Sequence, residues 1–176
     1  MKANSVTIRR WFDRHLHIRD GAMMQTVLPA TLSQRATGAV IMPNLADPIS
    51  TVKKATAYRE IHRIRVRKYA TSGDRRFGAG TDSAPHDESL KSRCYGCAAG
   101  IFTAPVAVEM YTTVFDEDDA LDHLGPFLSE NFLSVYGMNV SAEMMTVERG
   151  ALVVPQKIGG VQVFKGGSKL PWKLLG

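Results

Sequence analysis

The chain opens on two short runs in which apolar and polar positions alternate, Ser5 to Arg9 and Asp13 to Ile18, and alternation of that period predicts strands. The period then changes. From Ala22 to Arg35 the apolar residues Met23, Met24, Val27, Leu28 and Leu32 recur at helical spacing, with Pro29 placed to kink or divide the element. Gly38 to Asn44 is an almost unbroken apolar run closed by a proline and an asparagine, the pattern of a buried parallel strand. Asp47-Pro48 begins a turn, and Ser50 or Thr51 can cap. Val52, Ala55, Tyr58, Ile61 and Ile64 then predict a helix that runs towards Tyr69 and stops at Gly73. Phe77 to Thr81 reads as a short strand ending at Asp82. Phe102 to Phe115 reads as a helix that tolerates Pro105 in its first turn, and Ala120 to Ser129 as another, with a compact turn at Val135 to Gly137. The tail from Thr146, rich in valine and glycine, predicts β segments around Leu152 to Val154 and Val161 to Phe164. There is no internal repeat.

Strand and helix in alternation predict an α/β fold with a parallel sheet, whose chemistry gathers at the carboxyl ends of the strands. Those ends carry His15, His17 and Arg19, then Asn44, then Asp82 and His86. On a strand, residues i and i+2 face one side, so His15 and His17 present their nitrogens to one point; on a helix they would diverge. A solvated strand carries such a pair by chance more often than as a metal site. Two imidazoles and a carboxylate nevertheless suit zinc with an open position for an activated water. A carboxylate beside that water can take its proton and return it to a leaving nitrogen. Asp82 equally reads as a turn or capping residue ahead of Pro85, and His86 as an exposed loop histidine. The CysxxCys at Cys94 to Cys97 lacks a second ligand pair at matching spacing, so a loop with two incidental thiols is favoured over redox or zinc chemistry.

Composition narrows the partners. At 176 residues and 44% hydrophobic the chain suffices for one domain with a core. The net charge of +5 permits an anionic partner, and Arg59, Arg63, Arg65, Arg67, Lys68, Arg75 and Arg76 cluster. No aromatic residues interleave with them as stacking platforms, so a solvated helix face is preferred to nucleic-acid binding. Two cysteines do not make a disulfide scaffold. No apolar run approaches the roughly 20 residues of a membrane span, and the amino terminus lacks the apolar core of a signal peptide. A cytoplasmic location is expected.

Five motifs follow one another in a recognisable order: His15-Leu16-His17-Ile18-Arg19-Asp20-Gly21, Val40-Ile41-Met42-Pro43-Asn44, Gly80-Thr81-Asp82-Ser83-Ala84-Pro85-His86, Gly96-Cys97-Ala98 and Phe102-Thr103-Ala104-Pro105. In these the chain resembles dihydroorotase of the shorter bacterial type, in the amidohydrolase superfamily, over two blocks from about Val6 to Arg59 and from about Arg67 onward. The resemblance implies a (β/α)₈ barrel that uses a zinc pair. Its reaction would be the reversible hydrolysis of the ring amide of dihydroorotate to N-carbamoyl-aspartate in pyrimidine biosynthesis. It makes His15 and His17 ligands of the first metal, and Asp82 both a ligand and the proton-transferring base. Arg19, Asn44 and His86 would hold the substrate carboxylate, and the backbone at Ala98 would hydrogen-bond the ring.

A barrel of this kind needs about 250 residues. Here the second helix runs directly into what resembles the family's seventh, near Ile61 to Lys68. The missing middle would carry the carboxylated lysine that bridges the metals and the two histidines of the second metal; no lysine here ends a suitable strand, and His62 falls in the helical junction. The expected fold is a truncated TIM-barrel remnant of about three parallel strands, in the order second, first, eighth, with flanking helices. It forms one partial domain of three blocks, 1–60, 67–145 and a β-rich tail at 146–176. At most one zinc is expected. The direct link from second to eighth strand requires either a right-handed crossover through the former barrel interior or a rare left-handed one. An exposed edge and apolar face make a homo-oligomer the expected state. The resemblance makes a carbamoyltransferase a partner to test, because related dihydroorotases associate with one. Two functions follow: a dihydroorotase-type hydrolase of reduced activity, or a non-catalytic remnant that serves as an assembly partner or is the product of a gene deletion.

Overall fold

A computed structural model of the chain describes residues 3–17, 25–26, 29–30, 33–41, 67–91, 100–139 and 141–176. Strand β1 spans Ser5–Arg9, β2 Phe12–Leu16 and β3 Gly38–Ile41. β2 and β3 pair in parallel, with Phe12 opposite Gly38 and Leu16 opposite Ile41. On its other side Leu16 bridges Ser83, again in parallel, which gives the parallel order β3, β2, Ser83. The third member is reduced, however, to a single bridge.

The strand expected at Phe77 to Thr81 does not form, and its hydrogen bonds explain why. The Ala79 N–H donates to the Phe127 carbonyl at 2.9 Å and the Thr81 N–H to the Asp13 carboxylate at 3.0 Å; only the Asp82 N–H reaches a strand carbonyl, that of His15, at 2.7 Å. Each backbone donor must be satisfied somewhere, and here a helix and a side chain take the places of a neighbouring strand. Beyond Ser83 the parallel bridges continue to Ile101, and from Phe102 to Val163.

The chain ends build a second, antiparallel sheet. β1 pairs with β4 (Met144–Val153), which pairs with β7 (Lys169–Leu174), in the order β1-β4-β7. The tail is therefore more regular than its valine and glycine content predicts: the segment expected around Leu152 is the end of a long strand, and β7 was not anticipated. Pro171 argues against a central strand, but β7 lies at an edge, where a missing N–H is tolerated. Of the segment expected at Val161 to Phe164, Val161–Gln162 forms β6, in a hairpin with β5 (Lys157–Ile158), and Val163 makes the bridge to Phe102.

Helix α1 is the single turn Glu88–Lys91. A 3₁₀ turn at Ala104–Val106 leads into α2, Ala107–Glu117, with Pro105 in the first turn as expected and Phe102 left outside in its bridge. The helix expected to end at Ser129 continues to Val135, as α3 (Leu121–Gly125), a π segment (Pro126–Glu130) and α4 (Asn131–Val135). Pro126 has no N–H to give the preceding turn, and the wider π turn carries the axis past it. Of the helix expected from Ala22 to Arg35, residues 25–26, 29–30 and 33 are helical, Gln34 and Arg35 form a turn with Arg35 in a left-handed backbone, φ +60°, and the other positions lie outside the described residues. The same holds for the helix before Gly73, of which 67–70 is described, and for the junction crossover.

The main core lies where α2 and α3 pack on the terminal sheet: Trp11, Phe115, Leu124, Val147 and Trp172 are fully buried. A second cluster joins Phe102, Val106, Val154, Val161 and Val163. Among the described residues no helix is long and apolar enough to cross a membrane.

One charged residue stands inside this packing. Glu109, in the first turn of α2, is 3% exposed; its Oε1 accepts the Leu174 N–H at 3.4 Å, and its Oε2 has no partner among the described residues. Burial raises its pKa above the ordinary glutamate value. A carboxyl raised in the folded state contributes stability that is fully present below its unfolded pKa and is lost as pH rises through the folded one. In urea unfolding, the stability of Glu109→Gln relative to wild type is therefore expected to grow between pH 4 and pH 9; a difference independent of pH would show that Glu109 does not titrate differently on folding.

Candidate metal centre

The site begins with a side chain that is not a ligand. Asp13 lies in β2, two and four residues before His15 and His17, and its residue is fully buried. Its Oδ1 accepts the N–H groups of His15 at 3.1 Å and Thr81 at 3.0 Å, and its Oδ2 accepts the Thr81 hydroxyl at 2.5 Å. Burial raises the Asp13 pKa, and the Thr81 and His15 hydrogen bonds oppose the rise. Two backbone bonds continue the connection, from the Asp82 N–H to the His15 carbonyl at 2.7 Å and from the His17 N–H to the Ser83 carbonyl at 3.0 Å. Gly80 lets the two segments approach: a Cβ there would lie 3.2 Å from the His15 Cβ.

Thr81 and Ser83 are held on both sides of Asp82. The Thr81 hydroxyl accepts the Ser83 N–H at 3.1 Å, the Thr81 carbonyl accepts the Thr103 hydroxyl at 3.0 Å, and the Ser83 hydroxyl accepts the Ala104 N–H at 3.1 Å. Between them Asp82 takes a left-handed backbone, φ +47°. Such conformations cost a non-glycine residue free energy and persist where the surroundings impose them. This conformation is not that of a helix cap.

The result is convergence. Asp82 Oδ1 stands 3.0 Å from His15 Nε2 and 3.1 Å from His17 Nε2, and the three candidate ligand atoms lie within 4.8 Å of one another. Two nitrogens and an oxygen bound to zinc at about 2.0–2.2 Å would be separated by little more than 3 Å; the two separations from Asp82 Oδ1 match that, and the donor set suits the ion. The group is open: the side chains of Asp82 and His15 are 70% and 44% exposed, that of His17 only 17%. His15 and His17 therefore reach one point, as strand alternation requires, although His17 lies just past the last residue of β2.

His86 is half-buried in the segment leading to the Asp87–Val161 bridge and is not part of this three-residue group. Arg19, Asn44 and Ala98 lie outside the described residues, as do His62, Cys94 and Cys97. Of the basic cluster, the described Arg67 is paired to Asp118 and Glu117, and Arg76 to Asp74. Sequence reasoning missed Asp13 and Thr81. The signal was present for Asp13, because strand alternation puts it on the histidines' side, where a lone buried carboxylate needs donors. It also missed Arg14, whose guanidinium lies 4.4 Å over the Phe132 ring and whose pKa burial lowers to about 10.

No protein-family model matches the chain. It is 46% identical over 116 residues to the dihydroorotase of Parasynechococcus marenigrum, an alignment covering 66% of this chain and 34% of that protein. It is 39% identical over 165 residues to that of Erythrobacter litoralis, covering 92% and 42%. The chain thus spans about a third to two fifths of the length of these curated relatives. The fold matches the crystal structure of dihydroorotase from Campylobacter jejuni with a TM-score of 0.76 at 15% identity, covering 100% of this chain and 99% of that one. Dihydroorotase from Saccharomyces cerevisiae, solved with 5-fluoroorotic acid, gives 0.76 at 15% identity, covering 98% and 99%.

The left-handed Asp82 has a measurable consequence. Asp82→Gly relieves the backbone whereas Asp82→Ala keeps the Cβ, so without metal the alanine variant is expected to be less stable than the glycine variant by about 1 kcal/mol in urea unfolding. Equal stabilities would mean that the surroundings do not impose this conformation.

Proposed function

From a chain that belongs to the dihydroorotase family, we propose a one-metal, dihydroorotase-type site that acts on the ring amide of dihydroorotate or on N-carbamoyl-aspartate. The observation that carries the reading is the convergence of His15 Nε2 and His17 Nε2 on Asp82 Oδ1, at 3.0 and 3.1 Å. His15, His17 and Asp82 would hold one zinc, which when bound supplies positive charge to polarise a carbonyl and acidify a water. Asp82 takes the proton of the attacking water and gives it to the ring nitrogen as the carbon–nitrogen bond breaks; in the reverse direction it removes that proton. Arg19, Asn44 and His86 hold the substrate carboxylate, with Arg19 and His86 neutralising its charge, and the backbone at Ala98 bonds the ring.

We read the fold as a truncated barrel remnant in the three blocks 1–60, 67–145 and 146–176, supported by the parallel order β3, β2, Ser83. Catalysis should be weak, because a bridging lysine and a second ligand pair would be lost with the middle of the barrel. The alternative, a non-catalytic remnant or the product of a gene deletion, draws support from the openness of the site, with Asp82 70% exposed. Val135 and Tyr136, 70% and 64% exposed, offer a surface for self-association. A carbamoyltransferase remains a partner to test.

After dialysis against zinc, elemental analysis is expected to find one tightly held ion per chain, and none in His17→Ala. Two ions per chain would refute the one-metal reading. In assays run in both directions, hydrolysis and cyclisation should need metal and fall by at least about 100-fold in Asp82→Asn. Arg19→Ala and His86→Ala should act mainly on KM. Turnover unchanged by Asp82→Asn would remove Asp82 from the chemistry, and metal binding without turnover would favour the non-catalytic remnant.

A further inference from the structure

We propose that Asp13 and Thr81 are positioning residues for the three-ligand group: together they fix the direction in which Asp82 presents its carboxylate to His15 and His17. The inference rests on the one-metal reading of the site and goes beyond it, since neither residue is a candidate ligand.

The Thr81 hydroxyl lies 3.4 Å from the His15 carbonyl, and three shorter connections join β2 and the residue after it to the 81–83 segment: Asp13 to Thr81, His15 to Asp82, and His17 to Ser83. The last two are ordinary backbone hydrogen bonds. The first is made by a buried carboxylate standing where a neighbouring strand would have offered a carbonyl, and it captures both the N–H and the hydroxyl of Thr81. The same carboxylate accepts the His15 N–H, so one side chain sets the backbone of a ligand and the residue before another ligand.

Thr81 passes the constraint forward. Its hydroxyl proton goes to Asp13 and its lone pair receives the Ser83 N–H at 3.1 Å, which draws together the residues on either side of Asp82. The intervening backbone turns left-handed, and the Asp82 carboxylate meets both imidazoles. Without the Thr81 hydroxyl, the backbone bond from Asp82 to His15 and the Thr81 N–H bond to Asp13 would remain, but the link across Asp82 to the Ser83 N–H would be lost.

Thr81→Val is the decisive variant because it keeps the side chain's shape and removes the hydroxyl's bonds to Asp13, the His15 carbonyl and the Ser83 N–H; Thr81→Ser restores them. With cobalt(II) as the probe and a chelator competing, Thr81→Val is expected to bind about tenfold more weakly, with altered visible absorption bands, and Asp13→Ala up to about 100-fold more weakly. Thr81→Ser should match wild type in affinity and bands. Asp13→Ala also strips three donors of their buried acceptor, so the valine and serine pair carries the decision if that variant fails to fold. Thr81→Val with wild-type affinity and bands would overturn the proposal, leaving Asp13 and Thr81 as structural contacts only. If wild type takes up no cobalt, the one-metal reading fails by itself. Positioning is then decided on the metal-free chain at one fixed pH, by the imidazole ¹⁵N shifts of His15 and His17. Movement in Thr81→Val but not in Thr81→Ser upholds it, and unchanged shifts in Thr81→Val overturn it.

Discussion

A carboxylate sealed from water must find its donors within the protein, and much of this structure follows from where Asp13 finds them. Leaving it unpaired would cost several kcal/mol, so a register of β2 that separated Asp13 from Thr81 would carry that penalty. The bond to Thr81 therefore selects how β2 and the 81–83 segment lie together. Helix α2 reinforces the choice from the outer side, since the Tyr111 hydroxyl donates to the Gly80 carbonyl at 3.0 Å. Gly80 is thus held by a helix on one flank and pressed to His15 on the other, which leaves little room for the two segments to slide.

Residues 10 and 11 are where the two sheets meet. The Arg10 N–H donates to the Glu143 carbonyl at 2.9 Å, on the approach to β4, and the Trp11 carbonyl accepts the Thr37 N–H at 2.8 Å, on the approach to β3. Trp11 has no exposed surface, and its indole N–H donates to the Gln34 carbonyl at 2.7 Å. The antiparallel sheet made by the chain ends is consequently tied to the strand that bears the histidines, and the core beneath it anchors the start of β2. This gives the terminal strands a part in the geometry of the site without bringing them near it.

The sequence was legible where local pattern and tertiary role agree. Alternation places β1 and most of β2, the apolar run at Gly38 marks β3, and Pro105 marks the start of a helix, because in each case the residue's own preference matches its surroundings. Legibility fails where a distant group takes over a backbone bond. Phe77 to Thr81 has strand-like composition, but Phe127 and Asp13 accept its N–H groups, and neither can be seen from the segment itself. Pro126 falls within the expected helix, yet only the structure shows the π turn that lets the helix continue. Pro171 hid β7, because nothing local distinguishes an edge strand from a central one. At the site, the His-x-His pair and Asp82 were readable as chemistry, whereas the buried network joining them depended on one more application of strand alternation, to Asp13.

A parallel pair of strands leaves an edge whose backbone groups need partners, and on the Ser83 side the chain meets that need itself. Ser83 bridges Leu16 on one side and Ile101 on the other, the Ala84 N–H donates to the Ile101 carbonyl at 2.9 Å, and Phe102 passes the pairing on to Val163. The sequence after the Asp82 motif thus returns beside it as a partial strand, with Phe102 and Val163 buried in the second cluster. That cover is placed at the edge, not over the mouth of the site, which explains how Ser83 can be fully buried while Asp82, its neighbour, is open to solvent. The apolar side chains most exposed among the described residues instead lie at the end of α4, around Val135 and Tyr136, and on β4 at Val153. Any association of the chain with itself would draw its burial from those surfaces more readily than from the strand edge beside the ligand group, and could proceed without covering the site.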